Sequence, residues 1–112
     1  MRFMARFTSH RGLLELPANN LRYPGGSSHW LRLPLKLEGE PWAESVVLEC
    51  EESRILRGQT TIVICTTYEG GELHEYIDVG SRLFLWEGQP SADLEVLDIL
   101  EQEACWSDMT LE

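Results

Sequence analysis

The chain is predicted to be all-β, a single small closed antiparallel β-barrel, and three stretches carry that expectation. Leu31, Leu33, Leu35 and Leu37 alternate with Arg32, Pro34, Lys36 and Glu38, the period of two that a strand with one buried face requires. Residues 61–67 are apolar or Thr on both faces, Ile62 and Ile64 against Val63 and Cys65, as a strand in a barrel wall would be. Residues 76–100 hold two further strand-like runs, 83–86 and 94–99, joined by the turn formers of Glu87-Gly88-Gln89-Pro90-Ser91. At 112 residues there is material for one hydrophobic core and not for two.

Taken in order, Phe3, Ala5 and Phe7 alternate with Met4 and Arg6, so a first strand turns Arg2 and Arg6 outward. Residues 8–26 carry Gly12, Pro17, Asn19, Asn20, Pro24 and Gly25 and read as a long loop around a short strand at 13–16. In the strand at 31–37, Pro34 has no N–H to give to a ladder, so that side faces an edge or a bulge. Gly39-Glu40-Pro41 ends it, and Trp42 is placed to cap the core. Val46, Leu48 and Cys50 then alternate with Val47 and Glu49, and Glu51-Glu52-Ser53 makes a polar turn. Arg57-Gly58-Gln59 leads into 61–67, after which Glu69-Gly70-Gly71-Glu72 is expected to form a hairpin turn, glycine supplying the positive φ. Leu94, Leu97 and Leu100 also fit helical spacing, so 93–103 reads as strand or as amphipathic helix. The β-branched Val96 and Ile99 favour strand through about Ile99. The expected organisation is a barrel over 1–100 and an acidic tail over 101–112 that Trp106 could anchor.

Composition narrows the class. No apolar run approaches the roughly 20 residues of a membrane helix, and Arg2, Arg6 and Arg11 interrupt the N-terminal stretch where a secretory signal would need an apolar core. A soluble, cytoplasmic protein is expected. Cys50, Cys65 and Cys105 are an odd count without C-x-x-C spacing, which fits reduced thiols better than a disulfide framework. Cys65 reads as a small buried hydrophobe and Cys105 as the exposed thiol. His10, His29 and His74 are far apart and near no close Cys pair, so neither a metal site nor a cofactor is expected.

The net charge of −10 is unevenly placed. Residues 1–36 carry Arg2, Arg6, Arg11, Arg22, Arg32 and Lys36 against Glu15 alone, whereas beyond Arg82 only acids occur, from Glu87 through Asp93, Glu95, Asp98, Glu101, Glu103 and Asp108 to Glu112. Such a balance repels polyanions unless a local basic patch prevails. It predicts either a basic first strand lying against acidic neighbours or a surface shaped for a basic partner.

Residues 79–100, VGSRLFLWEGQPSADLEVLDIL, resemble the closing hairpin of the C-terminal β-barrel domain of translation elongation factor Tu and its relatives. In that family a V-G-x-R-F-x-x-R-E-G-G stretch precedes a glycine-containing last strand, and Val79, Gly80, Arg82, Phe84, Glu87 and Gly88 match it in kind and order. Ala5-Arg6-Phe7 is similar to the family's opening strand, Leu21-Arg22-Tyr23-Pro24 to its Tyr-Arg-Pro segment, and 55–64 to its approach to a central strand. The resemblance spans nearly the whole chain and implies a stand-alone closed barrel of the six-stranded type. The family's barrel contacts tRNA and a partner domain. Here Gln89, Pro90, Ser91, Ala92 and Asp93 replace the family's Gly-Arg and Gly-x-Gly, and the phosphate-cradling G-x-x-x-x-G-K-[ST] of a GTPase is absent. The resemblance therefore implies an interaction role and no nucleotide chemistry.

Catalysis is not expected. Ser27-Ser28-His29 sets hydroxyls beside an imidazole, but adjacent residues on an extended chain point apart and no orienting carboxylate is at hand. His74 between Glu72 and Glu75 reads as a solvated turn residue. Trp30, Trp42, Trp86 and Trp106 read as core or barrel-end caps. The expected function is a non-catalytic module that presents an acidic face, drawn from Glu51, Glu52, Glu72, Glu75, Glu87, Asp93 and Glu95, to a basic protein, for example as an immunity- or antitoxin-type inhibitor. The alternatives are an RNA or tRNA contact through Arg2, Arg6, Arg11, Arg22, Arg32 and Lys36, or an enzyme of unknown type.

Overall fold

A computed structural model describes residues 1–20 and 26–107, so Arg22, Asp108 and Glu112 lie outside the described residues. Within them run β1 (Arg2–Ser9), β2 (Leu13–Glu15), β3 (His29–Leu37), β4 (Ala43–Cys50), β5 (Arg54–Leu56), β6 (Thr60–Thr66), a 3-10 turn (Leu73–Glu75), β7 (Arg82–Trp86) and β8 (Pro90–Glu101). Six strands close a barrel in the order β1-β6-β4-β3-β7-β8, all neighbours antiparallel, and β2 pairs with β5 in a separate two-stranded sheet.

The predicted alternation sets the interior. Phe3, Ala5 and Phe7 of β1, Leu33 and Leu35 of β3, Val63 and Cys65 of β6, and Leu83 and Leu85 of β7 are buried in one core. Each large side chain so removed from water contributes on the order of 1.5–3 kcal/mol. Pro34 immediately precedes Leu35, the first β3 residue in the β3–β7 ladder, so its missing N–H falls outside that ladder.

β8 is a strand throughout, and its pairing with β1 explains the helix-like spacing in the sequence. The register runs Met4↔Asp98 and then Ala5↔Val96, and Arg2↔Glu101 and then Phe3↔Ile99. Leu97 and Leu100 are thus the extra residues of two β-bulges. Each shifts the inward phase by one, so that Leu94, Val96 and Ile99 all meet the core.

Three expectations are corrected. Glu69-Gly70-Gly71-Glu72 does not join a hairpin, because β6 and β7 stand on opposite sides of the barrel. Residues 67–81 instead cross its mouth as a cap, plugging it with Leu73 and Ile77. At the other mouth β5, which its single inward Ile55 left unannounced, forms with β2 a lid that buries Leu14, Leu16 and Ile55 in the same core. The last turn is Glu87-Gly88-Gln89 alone, with the Glu87 N–H donating to Gln89 O at 3.0 Å, and β8 begins at Pro90.

The outer face of β4, which carries Val47 and Glu49, is also covered. Trp106 is 2% exposed, packs on Val47 with Trp30 and Tyr68, and donates its indole N–H to Ser45 O at 3.3 Å. Glu49 is fully buried and accepts from Asn19 Nδ2 at 3.1 Å.

The cap is pinned by Glu44. Its Oε1 accepts the N–H of Glu72 at 2.8 Å and of Leu73 at 3.3 Å, ahead of the 3-10 turn. A Cβ at Gly71 would stand 2.3 Å from that oxygen. Gly71→Ala should therefore displace the carboxylate and lower stability by about 1–3 kcal/mol, read as the unfolding free energy. In a Glu44→Ala background the same change should cost little, because the collision and the hydrogen bonds are already gone.

Candidate functional site

The barrel places the basic strand β1 directly beside the acidic strand β8. Arg2 pairs with Glu101 and Arg11 with Glu87. Arg6 Nη1 lies 2.8 Å from Glu95 Oε1, and His10 Nε2 lies 2.8 Å from Asp93 Oδ2. Arg82 stands 3.9 Å from both Glu38 and Asp93. The uneven charge of the sequence is thus folded into a ladder of local pairs. Glu87, Asp93 and Glu95 are already compensated, as are Arg2, Arg6 and Arg11.

The other expected cations are engaged as well. The Arg32 guanidinium sits 5.0 Å from the centroid of the Trp106 ring, and Lys36 Nζ 4.2 Å from that of Trp86, both cation–π distances. Arg22 lies outside the described residues. Among the described residues the expected RNA-contacting side chains therefore form no common unpaired basic face.

The seven expected partner-binding acids are not brought together. Glu51 and Glu52 stand at the lid end, in the turn after β4, while in the cap Glu72 precedes the 3-10 turn and Glu75 ends it. The antiparallel order puts these at opposite mouths, with Glu87 at the lid end and Asp93 and Glu95 along the wall.

The cap has the most distinctive surface. Glu69, Glu72, Glu75 and Asp78 are all exposed, and residues 67–81 contain no Lys or Arg. None of the four forms an ion pair with a described residue. Exposed Glu103 joins Glu69 and His74 around a cavity of about 140 Å³. Amid these carboxylates Tyr76 is 50% and Val79 59% exposed, with the Trp42 ring 5.8 Å from that of Tyr76. The cause is local. The short turn spends Leu73 and Ile77 on plugging the barrel, which leaves Tyr76 between them facing out. Asp78 and Ser81 then hold a tight turn, the Asp78 N–H donating to Ser81 Oγ at 2.9 Å, and Val79 rides on its tip. Sequence reading missed Tyr76 and Val79; apolar side chains among Asp, Gly and Ser outside any strand pattern were the available signal.

Chemistry elsewhere is sparse. Ser28 Oγ lies 3.0 Å from His29 Nδ1, closer than an extended chain predicts, but the hydroxyl also donates to Glu51 O at 3.2 Å. No carboxylate among the described residues is hydrogen-bonded to that imidazole to orient it as a base. No group of three His, Cys, Asp or Glu side chains among the described residues converges on a metal position. No described helix is long and apolar enough to cross a membrane. Cys50 and Cys65 are buried and Cys105 is exposed, and burial pushes both interior thiols above their ordinary range.

No family model, no curated protein and no solved structure matches the chain. The site must be read from its own geometry.

Two outcomes follow from these contacts. A thiol reagent at neutral pH should label Cys105 at once, and Cys50 and Cys65 only on denaturation, as counted by intact mass. Arg6→Ala should cost only about 0–1 kcal/mol, because the Arg6–Glu95 pair is half exposed and screened; chemical denaturation measures it.

Proposed function

We propose that the protein is a non-catalytic binding module whose cap, residues 67–81, holds a basic protein partner. One observation carries the reading: four exposed carboxylates without a described counter-charge surround half-exposed Tyr76 and Val79. Aromatic anchors within a charged rim are the usual make-up of a protein-binding hot spot. The carboxylates steer a cationic partner and the apolar side chains retain it. An immunity- or antitoxin-type inhibitor is one form this takes, its carboxylates standing where a basic nuclease expects phosphates.

An RNA contact has less support, since phosphates would have to displace Glu101, Glu95 and Glu87 from Arg2, Arg6 and Arg11. The likeness to the elongation factor Tu barrel is carried as an account of the scaffold, not of the activity.

The test is capture of partners from cell extract on immobilised protein at low and high salt, followed by identification and rebinding of the purified partner. The wild type should retain a basic protein that salt releases. Tyr76→Ala should weaken rebinding about tenfold or more, and Glu72→Lys with Glu75→Lys should abolish it. Glu51→Lys with Glu52→Lys at the far mouth should leave it unchanged. Equal rebinding by the cap variants would reject the reading.

A further inference from the structure

We propose that the Trp106 segment is an internal ligand in a peptide-binding site, and that the site takes an extended peptide carrying a tryptophan when residues 102–107 swing aside. The inference uses none of the cap carboxylates and stands apart from the cap reading.

The site is built on the outer wall of β3 and β4. Val47 of β4 is its floor, Arg32 of β3 stands opposite Val47 across the ladder, and Trp30 and Tyr68 pack against the same cluster. Trp106 fills the space between them, 2% exposed. Its main chain and its ring are both read. The Trp106 N–H donates to Thr67 O at 3.0 Å, and Trp106 O accepts the Glu69 N–H at 2.7 Å, the two bonds of a parallel bridge to Tyr68. The indole N–H donates to Ser45 O at 3.3 Å. The Tyr68 ring meets the indole edge-on at 4.7 Å, and the Arg32 guanidinium sits 5.0 Å from its centroid.

Main-chain bonds to both sides of one residue, with a pocket for its side chain, are how a sheet edge recognises an added peptide strand. The pocket selects tryptophan. Phenylalanine would leave Ser45 O without the indole donor, and a guanidinium is held best by an indole face.

The segment is separable from the barrel. Val47 and Trp106 form a cluster of their own, apart from the main core. Gln102, Glu103 and Cys105 are exposed and Ala104 is half-buried, so the link from β8 buries little, although Ala104 O accepts from the Met1 amino group. Trp106 is held by an isolated bridge rather than a ladder. Release therefore leaves the six-stranded wall whole and uncovers Val47, Trp30 and Tyr68. Tethered through residues 102–105, Trp106 has a local concentration on the order of millimolar. It keeps out weak peptides and yields to a better ligand or to loss of its own ring.

The probe is a fluorescein-labelled peptide with the sequence of residues 102–107, titrated against the full chain under reducing conditions and read by anisotropy. Trp106→Pro removes both the indole and the N–H given to Thr67 O, and should keep the barrel, as read from the dispersed amide resonances of β1, β6 and β8. It should bind the probe about tenfold or more tightly than the wild type does. Alanine in place of the probe's tryptophan should abolish binding, and phenylalanine should weaken it severalfold. Arg32→Ala added to Trp106→Pro should weaken binding about threefold. Resonance shifts on binding should centre on Val47, Thr67 and Glu69. A Trp106→Pro chain that loses the barrel would make the segment part of the fold and overturn the proposal. So would a folded variant that binds the probe no better than the wild type, or one that binds the alanine probe equally well. A basic protein held by the cap is a different ligand, so failure of either result leaves the other standing.

Discussion

β1 is hydrogen-bonded along both edges, to β6 from Arg2 to Thr8 and to β8 from Arg2 to Ser9. That double pairing turns an open sheet into a closed wall. Closure satisfies the strand edges that would otherwise pair with another chain, and it forces the inward side chains of six strands onto one axis. The bulges at Leu97 and Leu100 let β8 coil around β1 without turning Val96 and Ile99 out of the core. Two open mouths are the consequence, and each needs a plug.

The plugs differ in chemistry because they are built from different chain. The lid is a small sheet whose inward residues are Leu14 and Ile55 and whose outward residues are Leu13, Leu56, Arg54 and Glu15. The cap is a crossover of fifteen residues, 67–81, held by Glu44 and by the turn at Asp78. A crossover that reaches across a mouth with one short helical turn has few positions to bury, so its remaining apolar side chains stay at the surface. That constraint, together with the run of acids, leaves Tyr76 and Val79 exposed among carboxylates at the cap.

Charge follows the same logic. Adjacent strands place Arg6 against Glu95, and the chain just beyond β1 meets the β7–β8 turn to set Arg11 against Glu87, though these lie far apart in sequence. Exposed pairs of this kind add little stability, but they neutralise the wall locally. Of the acid left over, four carboxylates are displayed at the cap, where no basic strand runs alongside, and Glu15, Glu51 and Glu52 at the lid end. A global charge of −10 thus becomes a directional feature.

The strands β1, β3, β6 and β7, the burial of Cys65 and the exposure of Cys105 were legible in the chain, because a two-residue period and β-branched runs report directly which face meets a core. The closed all-β barrel was legible for the same reason, and the acid-base asymmetry could be counted. Strand order was not legible, and everything local to the site depends on it. Whether 69–72 is a hairpin turn or the start of a crossover is decided by which strands become neighbours, a long-range choice that glycines alone do not encode. Whether Asp93 faces a partner or His10, and whether Glu49 faces water or Asn19, is decided by contacts between residues distant in sequence. Hydropathy is a property of residues and is written in the chain, whereas pairing is a property of positions in space and exists only once the barrel has closed.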